Sequence, residues 1–477
     1  MQSISRKQFF ETTGSTFGAM ALASGLGGRA LAAERGGRPN ILFILTDDQR
    51  WDTIHALGNP EIKTPNLDRL VERGFVFRNP YCMGSTVGAV CLPSRTMLIT
   101  GLSLWRIPNG RAKEAPPSTP LLPRLFNDAG YVTFHSGKAG NACTFGNAAF
   151  NTNIESKKHT DALDMKTHTD NVIAFLQKHD AKRPFFVYLA PPVPHDPRVA
   201  PPEFMEMYDP AKLTLSKNFM AQHPFDNGEL HIRDEQLAPF PRTPEVMRRH
   251  LADYYACVTC LDAQVGRALD ILKERGLAND TIVVFSSDQG LAVGGRHGLM
   301  GKQNLYEHVK PPLIFAGPGI PHGQSDALVY LFDLFPTFCD LAGISTPTTV
   351  EGKSLLPVIK RDQPRVRETL FCAYKACQRM VRDERWKLIK YNANGVKNAQ
   401  LFDLGADPDE VDNLAADPKC AEQLARMGKR LAEARKQFGD PFDFDSAGLM
   451  PNETKADSKP SKKSAGRKQR VGKEKTK

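Results

Sequence analysis

The chain has 477 residues, 41% of them hydrophobic and 24% charged, a balance that excludes a mainly disordered or fibrous protein and supports one large core with a smaller appendage. The net charge of +10 is carried by the ends: residues 452–477 hold ten Lys/Arg against three Asp/Glu, residues 1–38 hold five against two, and the stretch between is neutral. That distribution removes the global charge as an argument for nucleic-acid binding, and no nucleic acid is expected as a partner.

In chain order, residues 1–33 read as an export signal. Arg6-Lys7 makes a charged start, Phe17 to Leu26 is weakly apolar, and Ala30-Leu31-Ala32 offers small residues for cleavage. Ser5-Arg6-Lys7-Gln8-Phe9-Phe10 is similar to a twin-arginine signal with Lys in the second place. The apolar run is too short and too broken to span a bilayer, so the expectation is a protein taken by the export machinery to the periplasm or exterior, with no transmembrane anchor.

From about residue 38 to 350, short apolar runs alternate with helical patterns. The runs are Ile41 to Leu45, Pro184 to Ala190, Thr281 to Ser286 and Leu313 to Phe315; unbroken runs of this length suit strands buried on both faces. Between them, helices are expected over Asn66 to Arg73, Leu121 to Asp128, Leu163 to Lys178 and Leu251 to Arg275. The fold class is therefore α/β, a large doubly wound and mostly parallel sheet. Residues 351–445 read as a smaller C-terminal antiparallel-sheet subdomain. Its strands are Leu370 to Tyr374, Gln378 to Val381, Trp386 to Tyr391 and Gln400 to Asp403, with a closing helix from Lys419 to Phe438. The Lys-, Ser- and Gly-rich stretch 446–477 reads as a disordered basic tail.

Nine cysteines are an odd number and few for a stapled secreted scaffold of this size. Cys257 and Cys260 have a redox-like spacing but flank the apolar stripe of a helix, which reads as packing. A different signal is carried by acids. Ligands of open parallel sheets bind beyond the C-terminal ends of the strands. Asp47-Asp48 and Asp288-Gln289 each follow an apolar strand directly, so the two pairs are expected to meet at one edge as an oxygen-rich metal site.

The sharpest motif is Cys91-Leu92-Pro93-Ser94-Arg95, continued by Thr96-Met97-Leu98-Ile99-Thr100-Gly101. On this motif, following an Asp-Asp strand end, the chain from Arg38 to about Asp443 resembles the formylglycine-dependent type I sulfatases of the alkaline phosphatase superfamily. The resemblance implies that a formylglycine-generating enzyme oxidises Cys91 and that the product is the nucleophile. A hydrated aldehyde offers one hydroxyl for attack and a second whose deprotonation expels sulfate, splitting one hard step into two. Cys91 is expected to start a helix running to Thr100, which places a positive dipole end near the sulfate.

The family pattern further implies Ca²⁺, with Mg²⁺ second, held by Asp47, Asp48, Asp288, Gln289 and residue 91; Gln289 stands where relatives have Asn or His. Arg95 falls where the family's arginine orients the formylglycine, Lys138 and Lys302 where two lysines bind sulfate, and His195 where a histidine binds or protonates the leaving-group oxygen. Relatives also carry a histidine two or three residues after the first lysine, but this chain reads Lys138-Ala139-Gly140-Asn141, and His135 and His297 are the candidates to replace it. The expected reaction is hydrolysis of a sulfate ester on a carbohydrate or small molecule. The alternatives are a phosphonate monoester or phosphodiester hydrolase of the same superfamily, and a sulfoglycan-binding protein with weakened catalysis.

Overall fold

Unbroken apolar runs build the centre of the sheet. β1 (Asn40–Thr46), β6 (Phe185–Ala190) and β7 (Thr281–Ser287) are buried at every position, and β1 pairs in parallel with both of the others. The protein is described from a computed structural model that covers residues 37–156 and 162–444. The export segment 1–33 and the basic tail 446–477 lie outside the described residues.

The large sheet has eight strands. Besides those three it contains β2 (Phe75–Tyr81), β4 (Val132–Lys138), β5 (Thr152–Ser156), β8 (Leu313–Ala316) and β9 (Gly323–Tyr330), in the order β5-β4-β6-β1-β7-β8-β2-β9. All neighbours are parallel except β8, which runs antiparallel to β7 and β2. Side chains of a strand alternate between faces, and β1 shows the consequence. Leu42 and Ile44 join the core under helices Pro65–Arg73, Ala162–Lys178 and Pro244–Glu274. Ile41, Phe43 and Leu45 join the opposite core, under Cys91–Thr100, Leu122–Asp128 and Leu334–Ala342. Helices on both faces make the doubly wound arrangement.

The long helix begins at Pro244, not at Leu251 as the apolar stripe alone indicates. Thr243 caps it by accepting from the Val246 N–H, and Pro244 takes the first position, where no N–H is needed. Cys257 and Cys260 are buried in this helix, and burial pushes their thiols up to about 12 and about 11. That is the behaviour of packed side chains. All nine cysteines are free. No helix among the described residues is long and apolar enough to cross a membrane.

The second sheet is formed by β10 (Leu370–Tyr374), β11 (Gln378–Arg382), β12 (Trp386–Ala393) and β13 (Val396–Asp403), antiparallel in sequence order. A two-residue strand from the first half of the chain, β3 (Gly84–Ser85), adds in parallel to β10. Gly84 has φ of 110°, and a Cβ there would meet the Ala373 carbonyl oxygen at 1.8 Å, so only glycine permits this approach. Helix Ala421–Phe438 covers this sheet.

Within that half, Lys387 of β12 donates to both carboxylate oxygens of Glu410, at 2.8 and 3.0 Å, with the side chains 0% and 2% exposed. Lys387→Met is expected to destabilise the protein by about 3–5 kcal/mol, because it strands a buried carboxylate. The urea midpoint reads this, and adding Glu410→Gln is expected to recover part of the loss.

Candidate active site

Parallel pairing of β1 with β7 sets Thr46 opposite Ser287, so the residues that follow the two strands emerge side by side. The Asp288 N–H donates to the Thr46 carbonyl at 3.1 Å, and the Asp48 N–H to Asp288 Oδ1 at 3.1 Å. Consecutive residues in a strand point to opposite faces. Asp48 escapes this by adopting φ of 66°, a left-handed conformation that aspartate tolerates, and both carboxylates reach one cluster. Asp47, Asp48, Asp288 and Cys91 bring their ligand atoms within 4.8 Å of one another, all buried.

Cys91 opens the helix Cys91–Thr100, and its Sγ lies 3.1 Å from Asp47 Oδ1 and 3.8 Å from Asp48 Oδ1. Lys302 Nζ is 3.3 Å from the sulfur. Burial, with Asp288 and Asp47 adding to it, holds the thiol well above its ordinary range. As a cysteine, residue 91 is therefore protonated and a poor nucleophile.

Each carboxylate has a cation. Lys138, the last residue of β4, pairs with Asp47; Lys302 donates to Asp48 Oδ2 at 2.7 Å; Arg95 Nε donates to Asp288 Oδ2 at 2.8 Å and its NH2 lies 3.8 Å from Asp47. The three cations are 2–5% exposed. The match is still imperfect. Burial, partly offset by Lys302 and reinforced by Asp47, pushes Asp48 up to about 6. Burial and Asp47 also raise Asp288, whereas the burial of Asp47 is outweighed by Lys138 together with His195, Arg95 and Lys302, which lower it. Crowded carboxylates of this kind call for a further cation. Gln289 fits such a demand: its Nε2 donates to the Lys302 carbonyl at 3.2 Å, and its buried Oε1 has no hydrogen-bond partner. Three carboxylates and an amide oxygen are the kind of oxygen donors that hard cations such as Ca²⁺ or Mg²⁺ take.

His195, on the loop after β6, is 20% exposed at its side chain. Its Nδ1 donates to the Asp196 carbonyl at 2.7 Å, and its Nε2 lies 3.6 Å from Asp48 Oδ2. Burial and Lys302 push its pKa down to about 4. A cleft of about 310 Å³ opens here, lined by Asp47, Lys138, Gly140, Asn141, His195 and Arg233 among others.

Cys91, Arg95, Lys138, His195, Lys302 and the three aspartates thus come together, and Gln289 lies next to them in the chain, tied to the Lys302 carbonyl. Neither candidate for the missing histidine joins them. His135 faces Asn153, at 2.6 Å, and packs at a tilt against Tyr188 and Phe150. His297 belongs to a second buried cluster with Glu307 and Glu410, in which Asn218, Arg296 and Lys387 already match the carboxylates. Sequence reasoning missed the support of Lys302. Glu235 accepts from the N–H groups of Met300 and Gly301, and Asp234 holds Gln303 Nε2 at 2.9 Å. These acids lie in a loop without apolar periodicity, the signal used to place the other residues.

The sulfatase family profile matches residues 39–344, and that of the N-sulphoglucosamine sulphohydrolase C-terminal region matches residues 295–437. A choline-sulfatase of Rhizobium meliloti is 30% identical over 466 residues, covering 86% of this chain and 89% of the relative. An N-acetylglucosamine-6-O-sulfatase of Bacteroides thetaiotaomicron is 25% identical, covering 84% of this chain and 87% of the relative. Among solved structures, one in complex with its substrate D-glucosamine-2-N,6-O-disulfate aligns with a TM-score of 0.72 at 24% identity, over 86% of this chain and all of the other. The phosphonate monoester hydrolase of Agrobacterium radiobacter aligns at 0.71 and 22% identity, over 84% and 96%; at these identities the two structures show a shared fold. The profile match spans well over half the chain, and with the 30% identical relative it shows that the chain belongs to the sulfatase family of enzymes.

Proposed function

We propose that the protein hydrolyses the sulfate ester of a sulfated carbohydrate, with Cys91 converted to formylglycine and Ca²⁺ held by Asp47, Asp48, Asp288, Gln289 and residue 91. The observation that carries this is the position of residue 91: at a helix N-terminus, buried, and within reach of three carboxylates and Lys302. The carbohydrate part is supported by the N-acetylglucosamine-6-O-sulfatase relative and by the disulfated glucosamine held by the solved neighbour. Export rests on residues 1–33 and modification on the Cys91 motif; the export machinery and a formylglycine-generating enzyme are the partners these require.

When present, the formylglycine hydrate supplies an oxygen nucleophile and the cation neutralises charge on the sulfuryl oxygens. The chain's own residues do the rest. Lys138 and Lys302 bind the sulfuryl oxygens, and Arg95, anchored on Asp288, orients residue 91. The Asp196 carbonyl fixes the proton of His195 on Nδ1, so Nε2 is free to face the leaving group. Negative charge arriving beside Nε2 offsets Lys302 and draws a proton to it, and His195 passes that proton to the departing oxygen.

Charge narrows the class of ester. The three carboxylates and three cations balance, so a divalent cation leaves room for a monoanionic ester and one deprotonated nucleophile. A phosphomonoester, with about two charges, exceeds that. A phosphonate monoester does not, and a hydrolase of such esters shares the fold with this chain. The test is steady-state kinetics on matched esters. The expectation is kcat/KM at least about tenfold higher for sulfated sugars than for phosphonate monoesters, a gap of about 1.4 kcal/mol. The reverse order would move the protein to the phosphonate reading. Tight binding of sulfated sugars without turnover would make it a binding protein.

A further inference from the structure

The mouth of the cleft carries groups that the chemistry at residue 91 does not use. Arg233, on the loop before helix Pro244–Glu274, has a side chain 61% exposed, whereas Asp196 and Asp234 are 13% and 7% exposed. Its NH2 lies 2.7 Å from Asp196 Oδ1 and 2.8 Å from Asp234 Oδ1, and its Nε donates to Asp234 at 3.0 Å. Its NH1 has no partner among the described residues. Asp234 also faces inward: it accepts from Gln303, the neighbour of Lys302, and answers the Lys302 charge.

Held by both Asp234 and Asp196, Arg233 brings no net positive charge to the mouth, and with Asp196 it sets a donor edge beside an acceptor oxygen. Such a pair gives little net attraction to a second sulfate or a carboxylate on the substrate. Among the described residues, no Trp, Tyr or Phe lines the cleft to receive a quaternary ammonium. The cleft lining also includes Asn141, and Pro192, Val193 and Pro197 add apolar surface. Side-by-side donor and acceptor in a cleft that also has apolar lining match the hydroxyls and C–H faces of an uncharged sugar ring.

We propose that Asp196 and Arg233 determine specificity, reading the hydroxyls of a neutral, singly sulfated sugar next to the scissile ester. This rests on the sulfatase reading above and sharpens its substrate class.

The experiment measures kcat/KM of the modified, metal-loaded enzyme for a neutral hexose monosulfate, the same hexose with a second sulfate, choline sulfate and 4-methylumbelliferyl sulfate. Arg233→Met and Asp196→Asn are compared with the wild type; the second keeps the backbone carbonyl that holds His195, and its near-identical shape guards against misfolding. The wild type is expected to prefer the hexose monosulfate. In both variants the ratio of kcat/KM for hexose monosulfate to that for 4-methylumbelliferyl sulfate is expected to fall roughly ten- to hundredfold, the effect of one or two charge-assisted hydrogen bonds. Equal losses on both esters would make the pair a support for His195 and overturn the proposal, as would a wild-type preference for the disulfated sugar or choline sulfate. Turnover of the aryl ester without these discriminations defeats this proposal alone; turnover of no sulfate ester defeats the sulfatase reading with it.

Discussion

Cys91→Ala is expected to lower kcat/KM for every sulfate ester by at least about a thousandfold, the scale on which removal of a covalent nucleophile acts. The site itself says why no substitute is at hand. Among the described residues of the buried cluster, the other side chains are carboxylates paired to Lys138, Lys302 and Arg95, with the Gln289 amide beside them and His195 at the edge, where it faces the leaving group. Lys302, which touches the sulfur, is held well above its ordinary range because Asp48 and its other acidic neighbours outweigh its burial. It stays charged and cannot attack. An unmodified Cys91 is equally unpromising, since burial and the surrounding acids keep the thiol protonated. The same protein made without the modification is therefore expected to behave like Cys91→Ala. Stopped assays with each form on one sulfated sugar check both statements. Residual activity above about a tenth of wild type would place the nucleophile elsewhere.

Removing the metal is expected to have the second largest effect. Chelation with EGTA should cut turnover at least about a hundredfold, in line with loss of the charge that a bound cation supplies in the transition state. It should also lower thermal stability, because a ligand bound only by the folded state stabilises it by about 2.7 kcal/mol at a free concentration about one hundred times Kd. Ca²⁺ should restore both better than Mg²⁺. The donor set includes an amide on a long side chain, and Ca²⁺ tolerates irregular oxygen shells where Mg²⁺ demands a near-ideal octahedron. Asp288→Ala goes further than chelation. It removes a ligand and leaves Arg95, 3% exposed at its side chain, without its closest partner. Breaking such a pair costs about 3–5 kcal/mol. Metal content by mass spectrometry and a melting curve separate the two losses: Asp288→Ala should remain destabilised after Ca²⁺ is returned, whereas the chelated wild type should recover. No change of melting temperature on chelation would remove the metal from the account.

Much of this was legible in the sequence because one signal served both fold and site. β1, β6 and β7 are apolar throughout and buried throughout, so their ends could be found, and Asp47, Asp48, Asp288 and Gln289 stand immediately after two of them. The helix from Cys91 to Thr100 was placed by its motif, not by periodicity, since all ten of its residues are buried. β4 escaped for the opposite reason. Its residues Val132-Thr133-Phe134-His135-Ser136-Gly137-Lys138 are mostly polar yet almost wholly buried, satisfied by His168, Asn153 and Asp47. A strand that delivers a buried lysine to an acid cluster cannot have an apolar sequence. β2 was hidden by Arg78 and Asn79, which sit at a register shift against β9. β8 was found, but nothing in Leu313-Ile314-Phe315 tells an antiparallel strand from a parallel one; both are simply buried. The acids behind Lys302 and the pair at the cleft mouth depend on folded loops between residues 191 and 243, where no repeat of apolar positions marks the conformation.

The central claim is that residue 91 is a formylglycine in a working sulfatase, and peptide mass spectrometry on the peptide holding Cys91 tests it most directly. The protein should come from a host that modifies other C-x-P-S-R proteins. The expected result is a peptide in which an aldehyde or its hydrate has replaced the thiol, in proportion to the specific activity of each preparation. A fully active preparation whose Cys91 is an unmodified thiol would contradict the account.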